Sequence, residues 1–92
     1  MSQDKITQIR EAIDAVDKQI VAALAYRADL ITTIAEFKDA DKIYDAQREE
    51  EIMSNITDYA RSTNLNPSFI QKIYKQIFNE SRKQIIRQRR NK

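Results

Sequence analysis

The chain has 92 residues, with 16 basic and 14 acidic side chains, one proline, and no cysteine, histidine or glycine. That composition excludes disulfides, thiolate and imidazole metal sites, nucleophilic catalysis by a Cys or a Ser-His pair, and a glycine-rich phosphate loop. A net charge of +2 is close to balance and does not by itself imply a polyanionic partner.

What remains is chemistry done by Arg, Lys, carboxylates and amides, which bind and polarise an anion more readily than they attack one. No loop carries the ligand spacing of a carboxylate-only cation site, so neither metal nor cofactor is expected. A monomer of this size buries only roughly 60–65% of its unfolded surface, so the missing stability is expected from a partner chain. No apolar run approaches the roughly 20 residues of a membrane span. The opening "MSQDKITQIR" is polar rather than signal-like, and the expectation is a soluble, cytoplasmic protein without a membrane partner.

Zero glycine and one proline point to an all-α chain in one domain. The spacing predicts a first helix from about Asp4 to about Lys38. Ile9, Ile13, Val16, Ile20, Ala23, Arg27, Leu30 and Ile34 step by alternating fours and threes, a heptad-like seam. Such a helix would be about 50 Å long, more than the rest of the chain covers by folding back once. It is therefore expected to pair with the same helix of a second copy.

Arg27 stands where that seam wants an apolar residue, and Lys38 follows eleven residues later. On one continuous helix they would differ by about 20° around the axis and about 16 Å along it. Two long cations so placed can converge on a small dianion. Arg27 as a snorkelling side chain and Lys38 as a partner of the helix dipole are the plainer alternatives. Arg10 flanks the seam beside Ile9, about 42 Å from Lys38 along a straight helix. It reaches the same ligand only from an antiparallel partner helix. An ion pair with Asp14 one turn on is the competing reading.

"DADKIYD" (39–45) reads as a polar break, with Asp45 capping a second helix over about 46–62. Glu49, Glu50 and Glu51 sit near its N-terminus, where the dipole favours anions. Ile52, Ile56 and Tyr59 form its apolar stripe. Arg48 and Glu49 read here as a charge-laced first turn. Asn66 then Pro67 read as N-cap and first residue of a third helix, running to about residue 88. Ile70, Ile73, Tyr74, Ile77 and Phe78 give it an apolar face. Ser81 lies one turn beyond Ile77, either bonded back to a carbonyl or facing a polar cavity.

The chain ends in "SRKQIIRQRRNK", with a basic tail over 87–92 that is expected to fray. Arg82, Lys83, Arg87, Arg89, Arg90 and Lys92 allow a reading of another class, a non-catalytic helical dimer gripping nucleic acid through phosphates. No aromatic side chains are interleaved to stack bases, so a solvated helix end is the preferred reading.

Taken together, "IREAIDAVDKQIVAALAYRADLITTIAEFK", "YDAQRE" and "IFNES" closely resemble the all-helical class of chorismate mutases, over roughly residues 6–86. The resemblance implies three helices, a long first and two shorter, in an intertwined homodimer with two shared sites. It implies the rearrangement of chorismate to prephenate on the route to phenylalanine and tyrosine. That reaction is pericyclic, moving no proton and forming no covalent intermediate, which suits a chain without His or Cys.

Carried over by residue, Arg27 would bind one substrate carboxylate, and Arg10 of the other subunit another. Lys38 would contact a carboxylate and the ether oxygen. Arg48, Glu49 and the Asp45 backbone would surround the ring hydroxyl, and Ser81 would meet the ring carboxylate. One position departs from the pattern. Where the family places a Gln or Glu four residues after the Ser, this chain has Ile85, with Gln84 beside it as the available replacement. Losing such a donor to the ether oxygen typically costs about 3 kcal/mol, on the order of a hundredfold in rate. Related chemistries using the same frame are an isochorismate pyruvate lyase and a 4-amino-4-deoxychorismate mutase. "D..RE" matches the mutase pattern, while Glu49 would pair equally well with an amine.

Overall fold

A computed structural model describes residues 2–90; Met1, Asn91 and Lys92 lie outside the described residues. In chain order they form α1 (Ser2–Ala35), α2 (Ala40–Ile43), α3 (Ala46–Ser62) and α4 (Pro67–Arg90). Three long helices and one single-turn helix make an all-α fold, with no strand among the described residues. No described helix is long and apolar enough to cross a membrane. The chain divides into two compact units, one up to Leu30 and one from Ile31 onward.

The first unit is the greater part of α1. None of its described residues is buried, and the seam positions Ile9, Ile13, Val16 and Ile20 are each half or more exposed. These residues recur at helical spacing, so the unit carries an apolar stripe open to water.

α1 ends at Ala35, three residues short of the expected Lys38. The backbone tightens first: Glu36 N–H donates to the Thr33 carbonyl at 3.2 Å, and Phe37 N–H to the Ile34 carbonyl at 3.0 Å. These i→i+3 bonds satisfy carbonyls that further helix would otherwise have used. Glu36, Asp39 and Asp41 all crowd the negative end of the dipole, which disfavours continuing the helix through them. The stretch 39–45 is not a plain break either. Asp39 C=O accepts from the N–H groups of Lys42 and Ile43, closing the single turn of α2.

α3 starts where the cap chemistry places it. Asp45 has extended backbone, and its Oδ1 accepts from Arg48 N–H at 2.8 Å. α3 ends in a Schellman motif: Leu65 N–H reaches the Ala60 carbonyl at 2.9 Å and Asn64 N–H the Arg61 carbonyl at 3.3 Å. The reversal requires a left-handed residue, and Asn64 supplies it at φ 62° in a chain with no glycine. Asn66 then caps α4 by accepting from Ser68 N–H at 2.9 Å, with Pro67 in the first helical position.

The second unit has its core where the end of α1 meets Tyr44 and α4. Ile31, Ala35, Tyr44, Phe78 and Ile85 are buried together, with Ile34, Ile52, Met53 and Tyr74 packed around them. Tyr74 and Phe78 meet edge to face, their centroids 5.9 Å apart. α3 and α4 are also joined by a polar link, as Gln71 Nε2 donates to the buried Thr57 hydroxyl at 3.0 Å.

Candidate active site

Asp45, Arg48, Glu49, Ser81, Gln84, Ile85 and Lys38 belong to the second unit, and Arg10 and Arg27 to the first. In the second unit α3 contributes the acid, and α4 sets Arg82 against it. Glu49 follows the Asp45 cap by one turn, and its side chain is only 12% exposed. Its Oε1 accepts from Arg82 Nη1 at 2.6 Å across the α3–α4 junction. Arg82 is pinned on its other side as well, donating through Nη2 to Asn79 Oδ1 at 2.7 Å. Arg48 donates instead to Glu51 at 3.3 Å, an exposed pair within the first turns of α3.

On α4, Ser81 is buried and donates to the Ile77 carbonyl at 2.9 Å, the back-bonded arrangement. Gln84 is half-buried, and its Nε2 donates to the Thr32 hydroxyl near the end of α1 at 2.6 Å. Ile85, one residue on, points about 100° away around the helix and joins the apolar core. Side by side on α4, an amide is therefore tethered to α1 while its neighbour is committed to packing.

The cations read from the seam fall out differently. Lys38 is exposed and sits in the turn between α1 and α2, so the 20° relation to Arg27 on one helix does not hold. Its direction is set by the turn and not by the α1 screw. Arg27 is half-buried and engaged within the protein, so its place in the seam does not by itself call for a ligand. Arg10 is exposed on α1, and no ion pair joins it to Asp14 among the described residues.

Two residues of this region were missed by reading the sequence. Thr32 carries no signal of its own in the sequence, and Arg82 stands there as one cation of the basic end. Their partners are 52 and 33 residues away, so no local spacing signals them. The basic end is also partly neutralised in the fold. Besides Arg82 with Glu49, Arg87 pairs with Glu80 at 3.0 Å and Arg89 with Asp41 at 2.5 Å. Less uncompensated charge is left for tracking phosphates. Lys92 lies outside the described residues.

Among the described residues the structure therefore brings Glu49 and Arg82 together, while Ser81 and Gln84 are bonded to Ile77 and Thr32. Residues 9–85 match the family model described as chorismate mutase type II. The chain is 33% identical over 82 residues to a bifunctional chorismate mutase/prephenate dehydratase of Buchnera aphidicola subsp. Schizaphis graminum. It is 28% identical over 79 residues to a T-protein of Enterobacter agglomerans. These alignments cover 87% and 84% of this chain but 21% of each relative, so the chain spans about a fifth of their length. No solved structure gives a significant match. With the family model matched over most of its length, in an all-α fold, the chain belongs to the chorismate mutase type II family.

Proposed function

We propose that this chain is a chorismate mutase, an isomerase converting chorismate to prephenate, and that it works as a homodimer with active sites shared between subunits. The observation that carries the reading is the family match over residues 9–85, whose span contains Arg10, Arg27, Lys38, Asp45, Arg48, Glu49, Ser81 and Gln84. The homodimer is supported by the exposed seam of α1, which a second α1 would cover.

In this reading Arg27 and the partner subunit's Arg10 hold the two carboxylates of the substrate in the chair-like conformer. Fixing that conformer lowers the barrier by orientation, since the reaction needs no proton transfer and no nucleophile. Lys38 stands at a carboxylate and the ether oxygen, where negative charge builds as the C–O bond breaks. Gln84, tethered by Thr32, supplies the amide on the α4 side, in place of the donor that Ile85 does not provide. Glu49 accepts from the ring hydroxyl, with Arg48 and the Asp45 backbone beside it. Ser81 meets the ring carboxylate by turning its hydroxyl away from the Ile77 carbonyl.

The test is loss of chorismate absorbance with purified protein, followed by separation of products. Prephenate is the expected product. Pyruvate and salicylate released from isochorismate alone would move the assignment to a lyase. The shared site is tested by subunit mixing. Arg10→Ala and Lys38→Ala should each lose nearly all activity, and a mixed dimer should recover one of its two sites. No recovery after confirmed subunit exchange would overturn the shared site.

A further inference from the structure

Arg82 is the feature of this region that the mutase reading leaves without a task. Its guanidinium lies between Glu49 Oε1 at 2.6 Å and Asn79 Oδ1 at 2.7 Å, so both of its Nη groups are engaged. Glu49 is 12% exposed, which strengthens whatever charge stands next to it by excluding water. Among the described residues no other side chain pairs with Glu49. One carboxylate oxygen is thus occupied by Arg82 and the other is left to accept from a ligand.

We infer that Arg82 is a specificity-determining residue, which biases the Glu49 position toward a ring hydroxyl and against a ring ammonium. This rests on the mutase reading, in which Glu49 meets the substituent at that ring position. A hydroxyl needs only one acceptor oxygen, and Glu49 retains one. An ammonium gains chiefly from net negative charge, and Arg82 cancels that charge at contact distance. It also places a second cation within a few ångströms of the incoming one, a like-charge juxtaposition. The Glu49–Arg82 pair therefore separates chorismate from 4-amino-4-deoxychorismate, which Glu49 alone does not. Arg82 acts through Glu49 and need not touch the substrate. The rearrangement is the same for either substrate: one C–O bond breaks, one C–C bond forms, and no proton, electron or co-reactant enters.

The experiment compares kcat/KM for chorismate and for 4-amino-4-deoxychorismate in the unsubstituted protein, Arg82→Met and Arg82→Lys. The Arg82 side chain is half exposed, so both variants are expected to fold, which circular dichroism verifies. Arg82→Met should shift the ratio roughly tenfold toward the amino substrate, mainly through a lower KM for it. Arg82→Lys keeps the charge and should hold the ratio within about twofold of the parent. An unchanged ratio in Arg82→Met, or an equal shift in both variants, overturns the inference while leaving the mutase reading in place. Turnover of neither substrate by the unsubstituted protein overturns the mutase reading and this inference with it.

Discussion

Gln84 and Ile85 are neighbours on α4, and a turn of about 100° gives them opposite work. Gln84 reaches Thr32 at 2.6 Å, while Ile85 is buried with Ile31, Ala35, Tyr44 and Phe78. Placing an amide at 85 would strand polar atoms among those side chains. Ile85→Gln is expected to destabilise the unliganded protein by about 1–3 kcal/mol, the cost of a buried group without a partner. Thermal unfolding monitored by circular dichroism checks it, and a transition no lower than the parent's would show that the site accommodates the amide. The same substitution restores the residue type that the family places four positions after the Ser. The structure adds a cost, because the local packing has been built around an isoleucine.

At the scale of elements, helix ends are set by individual side chains. Asp45 fixes the start of α3 through its bond to Arg48 N–H, and Glu49 hangs from the turn that follows. Asp45→Ala removes that acceptor and is expected to cost about 1 kcal/mol. In a domain of this size that is a fall of about 4–8 °C in melting temperature, read by calorimetry. Asp45→Asn retains an acceptor oxygen and should recover most of the loss. If the two variants melt together, the cap is not what holds α3. The Asn64–Leu65 reversal and the Asn66–Pro67 start of α4 obey the same logic, and they set the register at which Arg82 meets Glu49.

For the molecule as a whole, the decisive fact is the open seam of α1. A small chain that leaves Ile9, Ile13, Val16 and Ile20 in water has not completed its core. With a second copy on that face, folding and association are linked, and the melting temperature should rise with protein concentration. Ile13→Lys puts a charge in the seam. If the proposed homodimer with a shared site holds, this variant is expected to be a monomer by analytical ultracentrifugation, to lose the concentration dependence, and to lose activity. An unchanged dimer would place the interface elsewhere.

The helical class and the local punctuation of the chain are legible in the order of its amino acids, because neighbours decide them. Without glycine, the apolar periodicity, Asp45 and Asn66–Pro67 specify helices and their starts through bonds spanning a few residues. Its motifs also carried the family resemblance that the family match supports. Where α1 stops was not legible, since no breaker marks it; the last turn tightens around Thr33 and Ile34 and the acids of 36–41 turn the chain aside. Nor were the pairings of Arg82 with Glu49 and Gln84 with Thr32 legible, or the burial of Ile85. Those depend on which faces of α1, α3 and α4 meet, and only the packed tertiary structure brings side chains 33 and 52 residues apart into hydrogen-bond range.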